Sequence, residues 1–169
     1  MKGQDEALIF LLLFIIGIAL FTAATIWSKG IFQQNVDLAK VQSAEKFIKD
    51  IDSVVSNIIK FGGSQEIKYN LDGTIELFDK KTIELKVPVK LNLSSNWVNI
   101  SSDGSFIQEK SEGGSTFRIQ LVYNNTKEYN VEFFTEGSRV SMPSYIIFER
   151  NSTYSVSGMT VIKIKVTFA

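Results

Sequence analysis

Two adjacent acidic residues stand at the start of a long uncharged segment near the N-terminus of this 169-residue chain. Asp5 and Glu6 are followed by a run from Ala7 to Ser28 that carries no charge. A carboxylate next to hydrocarbon is costly unless a cation neutralises it, and ionisable residues at membrane depth are usually functional. The chemistry that this pattern favours is therefore charge pairing rather than bond cleavage.

The side chains that most enzymes use for catalysis are scarce. The chain has no cysteine and no histidine, which excludes Cys/His zinc sites, thiol nucleophiles and the commonest general base. We also find no phosphate-binding loop, nucleophile elbow or pair of acids in a glycosidase-like context. We therefore predict that the protein is not an enzyme and uses no cofactor and no metal.

The charges also argue against a nucleic-acid partner. The 18 basic residues equal the 18 acidic residues in number, and the two signs balance both before and after Gly62. Proteins that bind nucleic acids normally present a basic surface that neutralises phosphates. We therefore predict no nucleic acid among the partners.

One long helix is expected to hold the acidic pair and the uncharged run. The run has about 22 residues, which is ~33 Å of helix and about the thickness of one bilayer core. No proline occurs before Pro88, so nothing obliges the helix to stop before Gly62 and Gly63. Its second half, residues 36–61, is amphipathic. The apolar stripe of this half consists of Val41, Ala44, Ile48, Ile51, Val55 and Ile58.

After Gly63 the pattern changes to short alternating segments rich in β-branched and aromatic residues, separated by turn residues. We predict an α+β fold, in which the long N-terminal helix precedes an antiparallel β-sandwich head at 63–169, with helix residues 41–61 on one sheet face. We place a sheet edge or bulge at Pro88 and a bulge at Gly158. The predicted strands are 65–69, 74–78, 81–91, 97–100, 106–110, 116–123, 129–134, 145–149 and 152–168.

Aromatic residues are frequent in the head, and we expect most of them to fill the sandwich core. They are Phe78, Trp97, Phe106, Phe117, Tyr123, Tyr129, Phe133, Phe134, Tyr145, Phe148, Tyr154 and Phe168.

The head also contains four Asn-x-Ser/Thr sequences, the acceptor pattern for N-linked glycans. Two interpretations stay open at this point: glycosylation of an exported head, or ordinary asparagines at turns and strand edges. The four candidates are Asn92, Asn99, Asn124 and Asn151.

Three accounts compete for the N-terminal segment. A secretory signal cleaved after Ala24 would normally have a positive start and a shorter apolar core. A plain membrane anchor explains the apolar run, but it leaves the acidic pair and the amphipathic extension of the helix without a role. The third account uses all of these features.

Lys2-Gly3-Gln4, followed by acidic residues and an unbroken apolar helix, resembles the short leader of archaeal type IV pilins, called a class III signal peptide. The resemblance implies a leader at 1–3 that a prepilin peptidase removes between Gly3 and Gln4, a helix at 4–62 and a β-rich head at 63–169. Glu6 stands where similar pilins often have serine, so both Asp5 and Glu6 are candidates for the acidic role.

The resemblance further implies a surface filament of identical subunits, assembled by an ATPase with its membrane platform from membrane-inserted precursors. The head would be extracellular and a candidate for adhesion. The alternative is a non-polymerising, single-span anchored β-sandwich with a stator-like or envelope-binding role.

Assembly would place two groups of residues in contact between subunits. Cleavage would create an α-amine on Gln4, which a carboxylate of a neighbouring subunit could neutralise; otherwise both acids lie in the headgroup layer. Close helix packing would be favoured by small residues in the apolar run. These are Gly17, Ala19, Ala23 and Ala24.

Overall fold

The computed structural model describes the chain in five stretches and divides it into two compact units. Residues 1–36 form one unit and 37–169 form the other, and each is described by itself. The described residues are 2–91, 94–101, 105–124, 129–138 and 140–169.

A single helix, α1, extends over 60 residues from Lys2 to Phe61. Gly62 and Gly63 end it as predicted, because both adopt positive φ angles that residues with a Cβ rarely tolerate. The Gly62 amide donates to the Ile58 carbonyl at 2.8 Å, and the Arg150 guanidinium lies 3.4 Å from the Ile59 carbonyl. Two of the last four carbonyls of the helix thereby have hydrogen-bond partners.

In the described part of the chain, ten strands follow the helix. They are β1 (Ser64–Lys68), β2 (Thr74–Leu77), β3 (Thr82–Pro88), β4 (Val98–Ser101), β5 (Ser105–Glu112), β6 (Thr116–Tyr123), β7 (Tyr129–Phe134), β8 (Val140–Ser141), β9 (Tyr145–Val156) and β10 (Met159–Phe168).

The strands form two sheets with mostly antiparallel pairing. One sheet has the order β1-β9-β10-β7, and the other has the order β4-β5-β6-β3-β2-β8. The α+β class with a sheet head is thus confirmed. One pair departs from the expectation, because β7 and β10 are parallel. Parallel neighbours need a long connection, and here the chain between them contains β8 and β9.

Both sheets and the second half of α1 contribute to one hydrophobic core. All six residues of the predicted apolar stripe are buried, from Val41 at 5% exposure to Ile58 at 0%. Polar contacts fix the same helical segment: Asp52 accepts hydrogen bonds from the Tyr123 hydroxyl at 2.5 Å and the Ser105 hydroxyl at 2.7 Å. Burial, followed by the Asp52 charge, raises the pKa of Tyr123.

The strand prediction differs from the structure in several details. Strand β8 was not predicted, and the break placed between 149 and 152 lies instead between β9 and β10, at residues 157–158. Gly158 is not a bulge; with Ser157 it forms the turn between β9 and β10, and both have positive φ. Pro88 does not interrupt a strand; it is the last residue of β3. The pairing of β3 with β2 ends at Lys86, so the missing amide of Pro88 breaks no hydrogen bond between these two strands.

The expectation for the aromatic residues was only partly right. Phe117, Phe133 and Phe148 are at most 2% exposed. Four others are exposed instead of forming the core: Phe78, Trp97, Tyr145 and Tyr154.

Candidate functional site

The first candidate site is the apolar surface of α1 in the N-terminal unit. Every large hydrophobic side chain from Leu8 to Trp27 is exposed within the structure, and Phe10 and Phe21 exceed 75% exposure. By length and composition, this segment could cross a membrane. Because such a surface is unfavourable in water, lipid or other apolar surfaces must cover it.

The hydroxyl groups of two threonines in this segment are satisfied inside the helix. Thr22 donates to the Ile18 carbonyl and Thr25 to the Phe21 carbonyl, each at 2.8 Å. These bonds remove the cost of placing a free hydroxyl in hydrocarbon. The segment is therefore compatible with an apolar environment, because its composition is apolar and these two hydroxyl groups are already hydrogen-bonded.

The small residues proposed for helix packing fall on two faces of α1. Gly17 and Ala24 are seven residues apart and share one face, whereas Ala19 and Ala23 are four apart and lie nearly opposite. A Cβ added at Gly17 would meet no atom within 4 Å, so this face is open to a neighbour. A neighbouring helix could therefore approach α1 closely on two faces instead of one.

The predicted leader site and the acidic pair lie together at the beginning of α1. Gly3, Gln4, Asp5 and Glu6 all belong to its first two turns. Acidic residues are favourable there, because the helix dipole is positive at the N-terminus.

The head carries a second candidate site, a polar network on the face of the β3/β6 sheet that points away from the core. Glu84 is 0% exposed and accepts two hydrogen bonds from Arg118, at 2.7 and 2.9 Å. The Lys86 ammonium lies 3.2 Å from the Glu84 carboxylate and 3.0 Å from that of Glu76. Gln120 also donates to Glu84.

Electrostatics within this network favour the charged forms. Burial opposes ionisation of Glu84, but its hydrogen bonds from Arg118 and Gln120 outweigh burial and hold its pKa below the ordinary value. Burial likewise opposes the charge on Lys86, yet the contacts with Glu76 and Glu84 raise its pKa. The network is thus a set of mutually neutralised ions.

An exposed indole lies at the edge of the network. The ring centroid of Trp97 is 4.8 Å from the Lys110 ammonium and 5.9 Å from the Arg118 guanidinium carbon. These distances are typical of cation–π interactions. This network was not predicted from the sequence, and Trp97 was expected in the core. A signal for an outer face was present in β3, where Glu84, Lys86 and Pro88 alternate with the apolar residues Ile83, Leu85 and Val87.

Three of the four glycosylation candidates can be located. Asn99 lies in β4, Asn124 follows β6, and Asn151 lies in β9; all three are exposed. Asn92 falls outside the described residues.

The described part of the head has no arrangement of acids that could bind a metal. No group of three His, Cys, Asp or Glu side chains lies close enough to do so among these residues. One concavity of about 370 Å³ lies between the helix and β1, and residues including Lys46, Asp50 and Lys68 line it.

Fold and candidate sites together define a class: an α+β protein with an exposed, membrane-compatible N-terminal helix and a β-sheet head. Comparison with protein-family models, curated proteins and solved structures finds no match for this chain.

Proposed function

We propose that this chain is the structural subunit of an archaeal type IV pilus-like surface filament. The observation that supports this most is the continuity of α1, whose N-terminal part exposes an apolar surface while its C-terminal part belongs to the core of the head. A subunit that only needed a membrane anchor would not require such continuity.

In this proposal the apolar surface has two successive partners. Lipid covers it in the membrane-inserted precursor, and the helices of neighbouring subunits cover it in the filament. Gly17 with Ala24, and Ala19 with Ala23, allow close approach on two faces, as a helix surrounded by copies of itself requires. Activity is self-assembly, and the proposed partners are a prepilin peptidase, an assembly ATPase and its membrane platform.

The mature N-terminus tests the proposal directly. Mass spectrometry of the chain in filaments sheared from cells should identify Gln4 as the first residue, and electron microscopy should show filaments that contain it. An intact Met1 on a chain that stays with the membrane would contradict the proposal. That result would favour the alternative, a single-span anchored β-sandwich with a stator-like or envelope-binding role.

Replacing Glu6 tests the charge pairing. We expect Glu6→Ala to reduce filament yield strongly while the head keeps its fold, because the α-amine of Gln4 would lose its counter-charge in an apolar core. Quantitative microscopy and head thermal stability are the measurements. Glu66→Ala, which removes an exposed carboxylate from β1, is the matched control and should assemble normally. Normal filament yield from Glu6→Ala would refute the pairing.

The head would face outward from the filament or the cell, where adhesion is its proposed additional role.

A further inference from the structure

One of the Asn-x-Ser/Thr sequences coincides with an irregularity in an edge strand. Strand β4 is the terminal strand of its sheet, and there Asn99 pairs with Gln108 while Ser101 pairs with Ile107. Ile100 is therefore an extra residue, and the bulge lies inside the sequence Asn99-Ile100-Ser101. A bulge bends the strand and changes the direction of neighbouring side chains, which distinguishes this acceptor sequence from one in a regular ladder.

The exposed tryptophan, Trp97, immediately precedes β4. Asn99 pairs with Gln108, and Lys110 lies two residues further along β5, on the same face as Gln108. Because the Lys110 ammonium contacts the Trp97 ring, the indole and Asn99 lie on the same side of the sheet. Trp97 is 36% exposed, and Lys110 and Arg118 hold its ring by the cation–π contacts described above. An indole ring has a broad apolar surface that can pack against the C–H face of a sugar, and a ring already held in place loses little entropy in doing so.

The sequence at Asn151 provides a contrast within the same molecule. Asn151 is also an extra residue, because Arg150 pairs with Ile164 and Ser152 with Lys163. However, the hydroxyl of Thr153, the third residue of that acceptor sequence, accepts hydrogen bonds from Nε and Nη2 of Arg150 at 3.0 and 2.8 Å. The same guanidinium contacts the end of α1, so this threonine is engaged in the fold.

We propose that Asn99 carries an N-linked glycan whose first sugar packs against Trp97, and that Asn151 stays unmodified in the folded head. The inference rests on the proposed function only in requiring that the head be exported. It does not depend on assembly.

Site-resolved glycopeptide mass spectrometry of the full chain, purified from the cells that make it, tests the attachment site. The expected result is a sugar-bearing peptide at Asn99 and an unmodified peptide at Asn151. An unmodified Asn99, or a modified Asn151, would overturn the proposal. Microscopy of the Ser101→Ala variant separates this proposal from the proposed filament function. The variant should still form filaments, because loss of the glycan leaves the proposed assembly surface of α1 unchanged.

The role of Trp97 is tested by fluorescence in full-length protein with Trp27→Phe, which leaves Trp97 as the single tryptophan. Acrylamide should quench Trp97 less in the glycosylated protein than in the Ser101→Ala variant, since the sugar covers the ring. Equal quenching in the two proteins would refute the packing. Asn99→Gln is a second variant that removes the sugar by another route, and it should match Ser101→Ala.

Discussion

A chain that begins at Asp37 is expected to fold into a stable head, whereas a chain that begins at Gly62 is expected to remain unfolded or to aggregate. The first retains the whole compact unit of residues 37–169. The second lacks the helical segment that contributes an apolar stripe to the core.

The size of the expected effect follows from the buried side chains of that segment. Phe47, Ile48 and Ile51 are at most 6% exposed, and Val41, Val55 and Ile58 at most 5%. Burial of each large apolar side chain stabilises by about 1.5–3 kcal/mol. Their combined loss is comparable with the whole free energy of unfolding of a typical domain, about 5–15 kcal/mol.

Circular dichroism and thermal unfolding of the two truncated chains are the measurements. A cooperative transition in the chain that begins at Gly62 would show that the helix is dispensable, contrary to the prediction. Point variants in the Asp37 chain refine the test: Ile51→Ala should cost about 2–5 kcal/mol, because Ile51 is fully buried. Ser53→Ala, on the exposed face, should stay within about 0.5 kcal/mol of the unmodified chain.

Replacing Glu84 is expected to produce the second large effect. Glu84→Ala would remove the fully buried carboxylate that Arg118 and Lys86 share, and leave Arg118 paired only with Glu112 and Lys86 only with Glu76. Breaking a buried ion pair by removing one partner costs about 3–5 kcal/mol. Urea denaturation of the head at neutral pH is the measurement, and a loss below 1 kcal/mol would contradict the prediction.

The same carboxylate should make the stability of the head sensitive to acid. Its native pKa lies below that of an unfolded glutamate, about 4.3, so the network stabilises the head above that pH. This contribution is lost as the pH falls through the native pKa. Glu84→Ala should therefore lose less stability than the unmodified chain between about pH 5 and 2.

A double variant separates the charge effect from simple loss of packing. Glu84→Leu with Arg118→Leu should recover much of the stability lost in Glu84→Ala, because it removes both members of the buried pair and fills their volume with apolar side chains.

Glu109 affects acid stability in the opposite direction from Glu84. Burial raises the pKa of Glu109, and the nearby Glu45 adds to this shift. Because Glu109 is present in every variant, its contribution cancels in the comparison.

Much of the fold could be predicted because its signals are local. The absence of proline and the stripe from Val41 to Ile58 defined α1, and the change to alternation after Gly63 defined a β head. Strand β6 and strand β7 were predicted with the observed limits. The apolar candidate surface from Ala7 to Ser28 could also be located, since hydrophobicity over one continuous segment needs no knowledge of the rest of the chain.

What the sequence by itself determined is thus the content of each segment: an apolar helix, an amphipathic helix, short strands and the positions of the acceptor asparagines. Only the tertiary structure decided which segments meet. The parallel pairing of β7 with β10, the convergence of Glu84 with Arg118, and the bulge that coincides with Asn99 all depend on strand register. The pairings of β10 with β7 and of β3 with β6 join residues far apart in the chain, and the pattern of one segment does not by itself select its partner strand.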